Sequence, residues 1–253
     1  MPVPNATSRF SDRVENYVLY RPGYPPEAIR ALTNECGLSP NHLIAAIASG
    51  TGTWTRMLLE NGNAVFGVEP NAEMRSAGEL LLAAFPSFTS VSGTAEATTL
   101  ADQTADFVTA AQAAHWFDRK QARREFARIL KPGGWLALLW NERVTDATKF
   151  LRDYEQLLLT YGTDYQDIRH EHTTSAVNEF FDPAPFQGRV FESRQEFDYR
   201  GVEGRLLSSS YTPGPDDPQH TPMLRELRRI FDDSAAEGRV AFEYKTRLFF
   251  GRV

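Results

Sequence analysis

The sequence predicts an α/β fold, a mostly parallel sheet with helices on both faces. Short apolar runs alternate with helix-patterned segments from Leu43 to Trp140, at lengths that suit parallel βαβ units. These runs are apolar at almost every position, as strands buried on both faces are. The first, Leu43-Ile44-Ala45-Ala46-Ile47-Ala48, breaks into Ser49-Gly50-Thr51-Gly52, and a helix pattern starts at Thr53. Strand, tight glycine turn and helix form the first half of a nucleotide-binding unit, where backbone comes close to a ligand.

Before that unit, Pro/Gly density in Arg21-Pro22-Gly23-Tyr24-Pro25-Pro26 stops any long element after Tyr20, and a proline-opened helix runs to about Cys36. Expected strands follow at Leu43–Ala48, Ala64–Val68, Phe88–Val91, Ala105–Ala111 and Trp135–Trp140. Expected helices lie at Thr53–Asn61, Ala72–Ala84 and Lys120–Leu130, the last stopped by Lys131-Pro132-Gly133-Gly134. After Asn141 the pattern changes. Residues 145–182 read as helices and loops, Arg189–Tyr199 as a strand, and Gly201–Ser210 and Pro222–Ala236 as helices. Arg239–Val253 alternates apolar and polar residues, and this late pair of strands suits an antiparallel edge. One domain over 1–253 is expected, with a lid and helix (1–42), a cofactor-binding core (43–141), a helical substrate cap (145–182) and C-terminal edge strands and helices (189–253).

A net charge of −6 over 253 residues argues against nucleic acid as the main partner. The basic clusters around Arg119–Arg124 and Arg225–Arg229 alternate with acids and apolar residues, as solvated helix faces do. Cys36, the single cysteine, reads as a packing residue. No basic-then-apolar leader opens the chain, and no apolar run approaches the roughly 20 residues of a membrane span, so a soluble, cytoplasmic protein is expected. His170-Glu171-His172 lacks the spacing of a metal-binding helix, and no metal is expected.

Three chemistries use such a glycine turn. A phosphate-binding P-loop needs Lys-Ser/Thr after its last glycine, where Thr53-Trp54 stands. The dinucleotide fingerprint needs a third Gly or Ala at the position of Thr55. Glu69, 17 residues beyond Gly52, follows the second strand and can accept hydrogen bonds from both ribose hydroxyls of a nucleoside. A nucleoside cofactor without a pyrophosphate remains, and S-adenosylmethionine is the obvious member of that class.

The blocks Ile47-Ala48-Ser49-Gly50-Thr51-Gly52, Val68-Glu69-Pro70-Asn71-Ala72-Glu73-Met74, Gly93-Thr94-Ala95-Glu96 and Leu130-Lys131-Pro132-Gly133-Gly134 occur in that order. Together they resemble the class I S-adenosylmethionine-dependent methyltransferases. Phe10–Tyr17, Tyr20-Arg21-Pro22, Gln112-Ala113-Ala114-His115-Trp116-Phe117 and Ser210-Tyr211-Thr212-Pro213 resemble the small-molecule branch called type 11 or UbiE-like. The resemblance implies a Rossmann-like seven-stranded sheet with one antiparallel strand. It implies that Gly50 and Gly52 admit the methionine part and ribose, and that Glu69 grips the ribose hydroxyls. Met74 packs on the adenine with Pro70 beside it, or is simply core. Ala95 and Glu96 meet the adenine edge, and Gln112 borders the methyl donor. Tyr20 and Arg21 cover the cofactor, Arg21 near its carboxylate or as a surface residue.

The family's first block normally ends its strand in an acid, one residue, then glycine. Ala46 stands in the acid's place and Ala48 in the first glycine's. Losing a hydrogen bond to a charged group costs about 1.5–3 kcal/mol, or roughly ten- to a hundred-fold in affinity.

Methyl transfer is an in-line displacement whose rate comes mainly from alignment in a dry pocket, with a base where the nucleophile arrives protonated. His115 is the candidate catalytic residue, as base or as orienter of the acceptor. Trp116, Trp140 and Tyr211 are the candidate walls of the acceptor site. Three functions stay open: a small-molecule methyltransferase, a cofactor-binding member of the fold with weakened or lost transfer, and a nicotinamide oxidoreductase, which Thr55 disfavours.

Overall fold

A computed structural model of the protein describes residues 14–166 and 174–253. The Phe10–Arg13 part of the opening block and His170-Glu171-His172 lie outside the described residues. Seven strands form one sheet: β1 (Leu43–Ile47), β2 (Ala64–Val68), β3 (Phe88–Val91), β4 (Ala105–Ala111), β5 (Leu130–Arg143), β6 (Phe186–Phe197) and β7 (Val240–Gly251). Their order across the sheet is β3-β2-β1-β4-β5-β7-β6. The pairs β3–β2, β2–β1, β1–β4 and β4–β5 are parallel, and β7 runs antiparallel to both β5 and β6. The sheet is therefore parallel except for β7, the seven-stranded arrangement that the family resemblance implies.

The helices are α1 (Val14–Tyr20), α2 (Pro26–Cys36), α3 (Thr53–Glu60), α4 (Ala72–Leu81), α5 (Arg119–Ile129), α6 (Lys149–Tyr161), α7 (Thr174–Phe181), α8 (Tyr199–Leu207) and α9 (His220–Asp232). Several boundaries differ from the sequence expectation, two of them for reasons plain in the hydrogen bonding. Strand β5 extends back to Leu130, because Leu130 still pairs with Ala105 while Lys131–Gly134 loop out before Trp135 pairs with Phe107. Strand β6 ends at Phe197 rather than Tyr199, because the Asp198 side chain accepts a hydrogen bond from Gly201 N and opens α8.

Strand positions alternate between two cores. Ala45, Ile47, Val108, Ala110, Leu138 and Trp140 face α5 and α7 (Ala122, Phe126, Val177, Phe180). Ile44, Ala46, Phe107, Ala137 and Leu139 face α2 and α3 (Leu32, Trp54, Leu58), and Cys36 packs among them. A third core joins α6, α8, α9 and β7 through Tyr154, Leu158, Val202, Leu227, Phe242 and Tyr244. Of the stretch expected to form a cap, α6 thus belongs to a three-helix layer with α8 and α9, whereas α7 closes the far face of the sheet beneath α5.

Candidate functional site

The parallel strands all end on one edge, and the site is built there from the residues that follow them. After β1 the chain turns sharply: Ala48, Gly50 and Gly52 all have positive φ, at 50°, 56° and 89°. Gly52 is doubly constrained, since a Cβ there would also meet Leu82 at 2.6 Å. Gly78 of α4 is the second glycine that matters, because a Cβ on it would meet the Gly50 carbonyl at 3.0 Å. Its bare backbone lets α4 lie close against the turn.

Glu69 follows β2 and is 7% exposed. Its Oε2 accepts from Gly50 N at 2.8 Å and its Oε1 from Asn71 N at 2.9 Å. Burial raises its pKa above the ordinary carboxylate range, although both backbone hydrogen bonds and nearby Arg75 oppose the rise. Asn71 then caps α4, accepting from Met74 N at 2.8 Å, and this fixes Met74 over the turn.

A cleft opens between these groups, lined by Ala48, Gly50, Glu69, Pro70, Met74, Ala95, Glu96, Gln112 and Trp116. Glu96 is anchored by accepting from Asp118 N at 2.9 Å. Gln112, with φ 58°, exchanges hydrogen bonds with the Asn141 backbone at 2.8 and 3.2 Å, which ties the end of β4 to β5. Asn71, Thr94, Ala111, Ala113 and Phe117 complete the lining; sequence reasoning gave them no role. Their signal was adjacency, since each lies next to or between residues of the blocks already singled out.

The remaining predicted residues lie elsewhere. Ala46 borders a smaller space beneath the turn, of about 40 Å³, with Tyr24, Trp54, Thr55 and Thr109. Trp54 Nε1, Thr55 Oγ1 and Thr109 Oγ1 are buried there without a hydrogen-bond partner. Three orphaned donors surround the position where a carboxylate would stand, and the space is large enough for water. Tyr20 packs against Phe197, and its ring lies where a Cβ on Gly204 would be, while Arg21 donates to Ser208 O at 3.0 Å. Both residues therefore hold α8 rather than line the cleft. Trp140 is 6% exposed and edge-on to Phe249 in the core beneath α5 and α7, away from the cleft lining. His115 lies against the Trp116 ring, at a centroid distance of 4.6 Å. Tyr211 stands beside Tyr165, in the layer of α6, α8 and α9. Among the described residues no cluster of His, Cys, Asp and Glu could hold a metal, and no helix is long and apolar enough to cross a membrane.

Comparison with known proteins matches residues 45–138 to the family described as "Methyltransferase domain". An uncharacterized methyltransferase of Mycobacterium tuberculosis is 41% identical over 164 residues, which cover 65% of this chain and 63% of the relative. An uncharacterized methyltransferase-like protein of Schizosaccharomyces pombe is 31% identical over 156 residues, 61% of this chain and 59% of the relative. The chain thus matches about three-fifths of the length of these relatives. Among solved structures, a protein of Anabaena variabilis assigned as a methyltransferase from an antibiotic biosynthesis pathway has a TM-score of 0.63 at 18% identity, covering 90% of this chain and 97% of that one. The YcgJ protein of Bacillus subtilis has a TM-score of 0.56 at 18% identity, covering 89% and 97%. At such identities the structural likeness is one of fold. The domain match over residues 45–138, the relatives and the fold together support a class I S-adenosylmethionine-dependent methyltransferase.

Proposed function

We propose that this class I methyltransferase chain transfers a methyl group from S-adenosylmethionine to a small molecule. The observation that carries the reading is the Glu69 carboxylate, buried at the crossing of β2 and the glycine turn and open to the same cleft as Met74, Glu96 and Gln112. A nucleoside fits this residue set. Glu69 retains lone pairs for ribose hydroxyls, Pro70, Met74 and Phe117 supply apolar faces for a base, and Glu96 with the Ala95 backbone supplies polar contact to its edge. The methionyl part would lie toward Ala48 and Gly50. When bound, the cofactor supplies an electrophilic methyl on a sulfonium.

The chain's own contribution is positioning. Gln112, fixed by its two bonds to the Asn141 backbone, sets the floor where β4 meets the acceptor. Trp116 walls the cleft and excludes water, with His115 behind it to orient or deprotonate the acceptor. The orphaned donors around Ala46 favour a second reading, a protein that binds the cofactor weakly and transfers poorly. Labelled S-adenosylmethionine offered with a small-molecule panel tests the first reading: methyl transfer supports it, and binding without transfer to any acceptor supports the second.

A further inference from the structure

Beyond the carboxyl ends of β5 and β6, the layer of α6, α8 and α9 encloses a cationic cluster that the cofactor cleft does not use. Arg205 of α8 is 6% exposed, and its hydrogen bonds go to neutral oxygens: the Tyr244 hydroxyl at 3.2 Å and those of Ser208 and Ser209 at 3.5 and 3.3 Å. Its Nη2 makes none among the described residues. The side chain of Arg143, at the end of β5, is 10% exposed. It pairs through Nη2 with Glu155 and the Tyr165 hydroxyl, stands 5.0 Å from the Tyr154 ring centre, and leaves Nη1 buried without a partner. The Tyr211 ring centre stands 4.9 Å from that of Tyr165, and the charges of both guanidiniums and of Arg21 act on its hydroxyl.

A buried guanidinium whose partners are all neutral is costly, and an unfilled buried donor adds to the cost. Burial alone would raise the Tyr211 phenol, yet Arg205, Arg21 and Arg143 bring it below its ordinary value. Among these described residues, three guanidiniums meet one carboxylate, that of Glu155, so the cluster carries an excess of positive charge. It also adjoins the reaction centre: Asn141, two residues before Arg143 and on the same strand face, is bonded to Gln112 through its backbone and to Gly23 O through its side chain at 2.9 Å. Tyr211 is half-buried and more accessible than Arg205.

We propose that the methyl acceptor carries a carboxylate, received by the Arg143 and Arg205 guanidiniums with the Tyr211 hydroxyl beside them. This rests on the methyltransferase reading and names the acceptor's class. Guanidinium forks match carboxylate geometry and stay charged at every working pH. Tyr211 thereby keeps the role expected of it as an acceptor-site residue, as a polar contact rather than an apolar wall.

Calorimetry tests this in two steps. The protein is first titrated with S-adenosylhomocysteine, then, once saturated, with benzoate, glutarate and citrate and with the methyl ester of each. At least one acid is expected to bind while its ester does not. Tyr211→Phe and Arg143→Gln are each expected to weaken that acid by about ten- to a hundred-fold and to leave S-adenosylhomocysteine affinity unchanged. Circular dichroism melting shows which variants fold, and Tyr211→Phe, which keeps the ring, stands if Arg143→Gln does not. Binding of S-adenosylhomocysteine with no acid bound, with acid and ester bound alike, or with acid affinity unmoved in the folded variants overturns the acceptor proposal alone. Failure to bind S-adenosylhomocysteine overturns the methyltransferase reading and the acceptor class with it.

Discussion

The Glu69 carboxylate accepts a hydrogen bond from the backbone N–H of Gly50 at 2.8 Å. The acid at the end of the second strand therefore holds the turn at the end of the first, and one side chain both shapes the glycine turn and lines the cleft. This coupling makes binding pH-dependent with a definite sign. A carboxyl whose folded pKa is raised stabilises the fold below the ordinary carboxylate range and loses that contribution as pH rises through its raised value. Hydroxyl donors on a ligand favour the ionised form, so S-adenosylhomocysteine affinity should rise with pH across the same interval. Calorimetry from about pH 4 to 8 is expected to show the rise, and Glu69→Gln to lack it and bind roughly ten- to a hundred-fold more weakly.

Ala46 leaves three donors without an acceptor. Ala46→Asp places a carboxylate in the space shared with Trp54 Nε1, Thr55 Oγ1 and Thr109 Oγ1, beneath the glycine turn. The substitution is expected to tighten S-adenosylmethionine binding by about ten- to a hundred-fold. Equal affinities of the two proteins would show that the missing acid does not matter.

Ala48 sits at φ 50°, a left-handed conformation that costs an alanine about 1–2 kcal/mol. Glycine removes that strain but gives back up to about 1 kcal/mol in unfolded-chain entropy. Ala48→Gly should therefore be neutral or stabilising by about 1 kcal/mol in urea unfolding, whereas Ala48→Val, β-branched at positive φ, should destabilise by about 1–3 kcal/mol.

Gly78 permits α4 to touch the turn. Gly78→Ala sets a methyl 3.0 Å from the Gly50 carbonyl, which is backbone and yields poorly. Overpacking of this kind typically costs about 1–3 kcal/mol. Because α4 carries Met74, the variant should lose S-adenosylhomocysteine affinity along with stability, and a melting temperature and binding constant equal to those of the parent would refute the contact.

Much of this was legible in the residues. The boundaries of β2, β3 and β4 agree with the sequence reading, because each is a short strand-forming run set between turn and polar residues. Of the residues that line the cleft, Gly50, Glu69 and Trp116 were singled out by their place after strand ends, where an α/β sheet places its ligands, and Met74, Glu96 and Gln112 by the family resemblance. That Trp140 lies in the core with α5 and α7 was not legible, since a strand buried on both faces gives no sign of which face a given residue takes. Thr109 and Trp54 were overlooked because their role depends on sharing a face with Ala46 across β4 and α3, a relation between segments far apart in the chain. The same limit hid Arg205, which reads as an ordinary helix arginine until Tyr244, more than thirty residues later, is seen against it.

The measurement that bears most directly on the account is calorimetric titration of the protein with S-adenosylhomocysteine, alongside NAD and NADP. Saturable binding of S-adenosylhomocysteine that weakens in Glu69→Gln, with no binding of the dinucleotides, is the result predicted. Binding of a dinucleotide, or of S-adenosylhomocysteine with equal affinity in both proteins, would contradict it.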